Sequence, residues 1–292
     1  MHDSHIHLNL CPLQENIGQV IDEFQKGNGK HILTQSTDLL DYKENLDISK
    51  RYPDIVQLAL GLHPTVFEEY TVQRNIFKDI QKKSLKMIAD FEDIFEKNIL
   101  AISAVGETGL DYYQFNNDQT VDEDIKEELC EIQEMSFTKH IQLALKHNLP
   151  MSIHARDMNG STECLEDVLR IVAQEGRGQL KGSFHSYTGN LDFLTDILDM
   201  GFYIGFNGII TYKSGENVRD ILKEVPLERI LFETDGPFLP PQSVRKDKKI
   251  KEKYAQPKDI KEIMQTACEV KNITYEKMER VTDENYERLF VL

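Results

Sequence analysis

Residues 100–107, "LAISAVGE", form a short run rich in apolar residues that ends on a carboxylate. Such a run predicts a strand covered on both faces, as in a parallel sheet wrapped by helices. Seven comparable runs surround it: "HDSHIHL" (2–8), "HILTQS" (31–36), "IVQLALGL" (55–62), "LPMSIHA" (149–155), "LKGSFHS" (180–186), "FYIGFNG" (202–208) and "RILFETD" (229–235). Amphipathic stretches lie between them. In "EIQEMSFTKHIQLALKHN" (131–148), Phe137, Ile141, Ala144 and Leu145 share one helical face. Eight strand-helix repeats in 292 residues predict an α/β fold, a TIM (β/α)8 barrel formed as a single domain over 1–292, the usual length for that architecture. A doubly wound open sheet has the same alternation and stays the alternative.

The composition is that of a folded globule, with 40% hydrophobic and 29% charged residues. No apolar run approaches the ~18 residues of a membrane span, and no basic-then-apolar leader opens the chain. A cytoplasmic location without membrane partners is expected. Cys11, Cys130, Cys164 and Cys268 are scattered, which favours reduced thiols over disulfides; Cys11 reads as a small buried hydrophobe. The net charge of −16 argues against a broad basic surface that coats nucleic acid. The exception is "RKDKKIKEK" (245–253), six basic residues against two acidic ones.

The ionisable residues fall where they matter most. Six of the eight runs carry one at or just past the C-terminal end: His5 and His7, His63, Glu107, His154, His185 and Asp235. In a barrel these ends share the rim on which active sites sit. His5 and His7 alternate along a strand and so project together, and neutral imidazole is the commonest metal ligand. Taken singly, His154 and His185 also read as hydrogen-bonded core histidines, Glu107 as a helix cap and Asp235 as a turn residue. Four of these imidazoles and two carboxylates converging on one rim would strand buried polar groups unless cations bound them, so metal is the economical explanation. His31 begins its strand and reads as structural. His140 and His147 read as surface or packing residues on a helix, and His2 lies too close to a mobile terminus to be given a role.

In this order, "DSHIHL", "GLHP", "GETGLDYY", "IHARD", "FHSYTG" and "LFETDGPFL" resemble the TatD-type metal-dependent deoxyribonucleases of the amidohydrolase superfamily. The resemblance runs from Asp3 to "ENYERLF" (284–290). It implies a TIM barrel with two divalent metal ions and exonuclease action on DNA ends, usually 3′ to 5′ and sometimes on RNA. It further implies that His5 and His7 hold one metal with Asp235, that Glu107 bridges, and that His154 and His185 hold the second. His63 and Arg156 resemble the family's substrate-phosphate contacts. Two features depart from the pattern. Only Met1 and His2 precede Asp3, and "QSVRKDKKIKEKYAQPKDI" (242–260) stands where the family has an Arg-Asn or Asn-x-Pro segment.

The residue types suit that chemistry. Two ions ~3.5–4 Å apart activate a water and shield phosphoryl oxygens. A carboxylate bridges two ions through its two oxygens, whereas an imidazole cannot, which makes Glu107 the natural bridge. Asp235 combines ligation with general-base work as a second catalytic carboxylate. Glu233 reads either as its support or as interior packing. Imidazoles favour zinc or manganese and oxygen donors favour magnesium, so the metal stays open. The 245–253 run reads as a guide for a nucleic-acid backbone or as a solvated loop. Tyr112, Tyr113 and Phe115 read as base-stacking or core aromatics. Rival functions are hydrolysis of an ester, amide or aminoacyl-tRNA on the same scaffold, and a non-catalytic binding barrel. The oligomeric state is open, and a monomer is compatible with everything above.

Overall fold

In the computed structural model, which describes residues 1–67, 80–113 and 123–291, the strands are β1 (Asp3–Ile6), β2 (Ile32–Ser36), β3 (Val56–Leu60), β4 (Ile102–Asp111), β5 (Met151–Arg156), β6 (Gly182–Phe184), β7 (Tyr203–Phe206) and β8 (Ile230–Phe232). The helices among the described residues are α1 (Ile17–Lys26), α2 (Tyr42–Arg51), α3 (Ile80–Asn98), α4 (Glu123–His147), α5 (Glu163–Gly176), α6 (Leu194–Asp199), α7 (Glu216–Glu224), α8 (Gln242–Lys246), α9 (Ile260–Lys271) and α10 (Tyr275–Phe290). The strands form one sheet in the order β1 to β8, with parallel ladders such as β1·β2, β4·β5 and β7·β8. Backbone bonds from Asp235 N–H to His5 O (2.9 Å) and from His7 N–H to Gly236 O (2.8 Å) join its first and last strands. Sequential parallel strands with helices between them are the (β/α)8 barrel. No helix among the described residues is long and apolar enough to cross a membrane.

Contacts divide the chain into two units, with boundaries within β2, β3 and β6 and at the start of α2. The first comprises Met1–Gln35, Lys43–Leu58 and Ser183–Leu292. Its strands bury Ile6, Ile32, Leu33, Ile204, Phe206 and Leu231, and α9 and α10 bury Ile263, Met264, Met278 and Tyr286. The Thr274 hydroxyl caps α10 by accepting from Lys277 N–H at 3.3 Å. His2, which the sequence leaves without a role, has a definite place in this unit. It is buried, with its ring stacked on Tyr286 (centroids 4.2 Å) and on His31, and burial pushes its pKa down to about 2. An aromatic cradle, invisible in local sequence, orders the residue.

The second unit comprises Ser36–Tyr42 and Ala59–Gly182. Here β4 runs on to Asp111, four residues past the end expected at Glu107. Gly106 and Gly109 depress strand propensity, yet both lie at positive φ (153° and 149°), and a Cβ on Gly109 would collide with the His154 carbonyl. Glycine is what lets β4 approach β5 there. Helix α4 buries Phe137, Ile141 and Ala144 as its periodicity predicts, together with Gln133 and His140, while Leu145 is half-buried. The four cysteines carry free thiols, and Cys11 is exposed rather than buried.

His140 is fully buried, so the packing reading holds for it and the surface reading does not. Its Nε2 accepts from Leu62 N–H at 3.0 Å, so its proton sits on Nδ1 and is donated to Ser136 O at 2.7 Å. Burial pushes its pKa from 6.5 to about 4. Above pH 6.5 the ring is neutral in both folded and unfolded chains, and its contribution is fully present. As pH falls towards 4, the unfolded chain takes up a proton that the native one refuses, and about 3 kcal/mol is lost. His140→Gln, which does not titrate, should therefore narrow its stability gap to wild type by about 2–3 kcal/mol between pH 7.5 and 4.5 in urea melts. A gap independent of pH would contradict this.

Candidate metal centre

In the first unit, strand alternation brings His5, within β1, and His7, just past its end, to the same side. Ligand atoms of His5, His7 and Asp235 all lie within 4.8 Å of one another. The His5 and His7 Nε2 atoms are 3.8 and 3.5 Å from Asp235 Oδ1. The His185 ring stacks on that of His5 with centroids 3.9 Å apart. Asp235 itself has φ +54°, a left-handed conformation that aspartate tolerates better than most residues. Burial acts to raise its pKa, but the hydrogen bond from His7 and the charges of His5 and His185 prevail and hold the carboxyl below its usual range.

Two further carboxylates organise this set. Asp3, fully buried, accepts from Thr234 N–H at 3.0 Å, from the Thr234 hydroxyl at 2.6 Å and from His5 N–H at 3.3 Å. It thereby fixes the backbone at both His5 and Asp235, and burial raises its pKa to about 7 in spite of those donors. Glu233 is also buried; its Oε1 accepts from Ser186 N–H and lies 3.8 Å from His185 Nδ1. A Cβ on Gly205 would occupy the space of the Glu233 carboxylate, so the absence of a side chain there admits the group. Glu233 thus lies against His185. Asp3→Ala should cost about 3 kcal/mol of stability, because it leaves buried donors unsatisfied, and should also lower activity by loosening His5 and Asp235. Wild-type stability of that variant in urea unfolding would show the clamp to be dispensable.

The second unit holds a parallel arrangement. His63, Glu107 and His154 present ligand atoms within 4.8 Å of one another. His154 Nδ1 is 2.9 Å and His63 Nε2 3.4 Å from Glu107 Oε1, and His154 Nε2 is 2.9 Å from Asp111 Oδ2. Burial opposes charge on His154, but hydrogen bonds to Asp111 and Glu107 outweigh it and raise its pKa to about 10. For His63 burial prevails and lowers the pKa. Asp111, also pushed upward by burial, is held below its usual range by His154. Gln133 on α4 clamps the Asp111 backbone: its Oε1 accepts from Asp111 N–H at 2.9 Å and its Nε2 donates to Asp111 O at 3.1 Å.

Arg156 is exposed at the end of β5, its guanidinium 4.0 Å from the centroid of the Tyr113 ring. Tyr112 is buried and its hydroxyl donates to Asp167 at 3.1 Å, so the core reading replaces base stacking for this residue. Phe115 lies outside the described residues. Arg245 to Lys253 are exposed throughout, beginning within α8, and Arg245 lies over the Tyr212 ring at 4.2 Å. Neither Asp111 nor Gln133 stands out in the sequence, and Asp3 reads there without a role. The signal for Asp111 was its spacing, since residues 107, 109 and 111 alternate on one side of an extended chain. Each set offers two imidazoles and a carboxylate within 4.8 Å, donors that suit zinc, manganese or iron.

Comparison with known proteins shows the family. A family model described as TatD related DNase matches residues 2–291. The metal-dependent hydrolase YcfH of Escherichia coli K12 is 30% identical over 99% of this chain and 94% of its own. The metal-dependent hydrolase YabD of Bacillus subtilis is 28% identical over 99% and 98%. Among solved structures, the TatD homologue YjjV of Escherichia coli superposes with a TM-score of 0.79 at 20% identity, covering 100% of this chain and 98% of that one.

Proposed function

The chain belongs to the TatD-related DNase family, and on that premise we propose that this metal-dependent hydrolase is a phosphodiesterase that removes nucleotides from DNA ends in the 3′ to 5′ direction. The observation that carries the reading is the donor set His5, His7 and Asp235 in one unit and, in the other, His154 paired with Glu107, with His63 beside them. Both lie at the C-terminal ends of strands in one sequentially ordered parallel sheet, the ends that this architecture gathers on its active face.

In this reading His5, His7 and Asp235 would hold one divalent ion, His154 and His185 would hold a second, and Glu107 would serve both. Such ions, when bound, acidify a water and offset the charge that builds on phosphoryl oxygens. Asp235 would take the proton from the attacking water. Its depressed pKa keeps it ionised. His63, beside Glu107, and Arg156, braced on Tyr113, contact the substrate phosphate. The exposed basic segment 245–253 follows β8 and attracts a nucleic-acid backbone to an otherwise acidic protein. Free, buried thiols at Cys164 and Cys268 fit the cytoplasm as the compartment of action.

The test is digestion of single-stranded DNA labelled at either end, with zinc, manganese or magnesium supplied in turn. Stepwise release of mononucleotides from the 3′ end is the expected result. Hydrolysis confined to ester, amide or aminoacyl substrates would transfer the protein to the alternative chemistry. Absence of turnover on every substrate, with no divalent ion retained, would make it a binding barrel.

A further inference from the structure

Isolated exposed apolar side chains such as Leu40 and Leu100 are ordinary on a folded surface. Phe238 differs from them in its position. It is 52% exposed, and its ring meets that of His7 edge-on, with centroids 5.8 Å apart and planes at 71°. His7 belongs to the His5, His7 and Asp235 donor set. The aromatic ring therefore stands in water beside that set. Leaving a phenyl ring about half-exposed forgoes part of the ~1.5–3 kcal/mol that its burial would supply.

The segment that carries the ring is pinned on both sides. Phe238 N–H donates to Asp235 O at 3.0 Å, and Pro237 O accepts from Ala255 N–H at 3.0 Å. Beyond the ring, Pro240 O accepts from the Tyr212 hydroxyl at 2.9 Å, and Leu239 is fixed at φ +53°. Gly208 has no side chain where the Leu239 carbonyl comes close. Prolines at 237, 240 and 241 stiffen the stretch further. A ring held this way needs little ordering when a partner arrives. Stacking of a base on an exposed aromatic is tolerant of base identity, because every base has a π-face.

We propose that Phe238 is a stacking platform for the nucleobase of the nucleotide whose phosphate enters the His5, His7 and Asp235 set. The inference rests on the phosphodiesterase reading and deepens it by assigning the determinant of nucleotide-bearing substrates. It also accounts for a free aromatic face in a place where a purely structural ring would be covered.

The experiment uses the full-length, metal-loaded protein and two probes measured by calorimetry, 2′-deoxyadenosine 5′-monophosphate and 2-deoxyribose 5-phosphate, which differ by the base alone. Wild type should bind the nucleotide at least about tenfold more tightly. Phe238→Ala should erase that preference without changing affinity for the sugar phosphate, and Phe238→Trp should keep it. Phe238→Leu, which retains apolar bulk against His7 but has no π-face, should behave like the alanine variant. Equal affinities for the two probes in wild type, or a preference unchanged in Phe238→Ala, would overturn the platform whatever the enzyme hydrolyses. DNA digestion run in parallel separates the two ideas. A protein that shows the Phe238-dependent preference but cleaves no DNA keeps the platform and loses the nuclease reading.

Discussion

Asp235→Asn should lower kcat for phosphodiester hydrolysis by about 10²–10⁴-fold while leaving the protein folded. Asparagine matches aspartate in shape but cannot take up the proton of an attacking water, and it is a poorer donor to a cation. The choice of substitution follows from the backbone. Residue 235 sits at φ +54°, a conformation that Asn tolerates and that Ala would strain, so an alanine variant would confuse lost chemistry with lost structure. Glu107→Gln should be at least as damaging, because the single contact atom Glu107 Oε1 lies near both His63 and His154. Steady-state kinetics paired with thermal melts reads both expectations. Turnover near wild type in both variants would mean that the reactive centre lies elsewhere.

Chelation should act on rate and stability together. Stripping divalent ions with EDTA should abolish hydrolysis, and adding back zinc, manganese or magnesium singly should identify the ion that restores it. An ion present at 100 times its dissociation constant stabilises the native state by about 2.7 kcal/mol. For a chain of this size that corresponds to a fall in Tm of about 4 °C on its removal. Calorimetric scans before and after dialysis check this, and a melting temperature indifferent to both chelator and added metal would leave the donor sets without a cation to hold.

The strand runs are legible in sequence because a strand covered on both faces is apolar along its length, and polar residues at its C-terminal end stand out. That contrast exposes His5, His7, His63, Glu107, His154, His185 and Asp235 without reference to any relative. It fails where the backbone departs from the rule. The continuation of β4 to Asp111 is hidden by Gly106 and Gly109, whose local propensity argues against a strand although the close approach to β5 requires them. The clamp made by Asp3 joins residues more than two hundred positions apart, and no local pattern encodes such a pairing. Tyr112 and His2 show the converse: their residue types fit both core and surface, and only tertiary partners such as Asp167 and Tyr286 decide between them.

Gln133 and His140 stand seven residues apart on α4, two turns along one face, and each grips a main-chain segment of the second unit, Asp111 in one case and Leu62 in the other. The helix therefore acts as a ruler whose two marks must keep both their spacing and their bearing. Adding or deleting one residue between them turns the later mark by ~100° relative to the earlier one, and one grip must be lost. Changes in chain length accumulating over evolution can be absorbed at either end of this helix, but the span from 133 to 140 is closed to them.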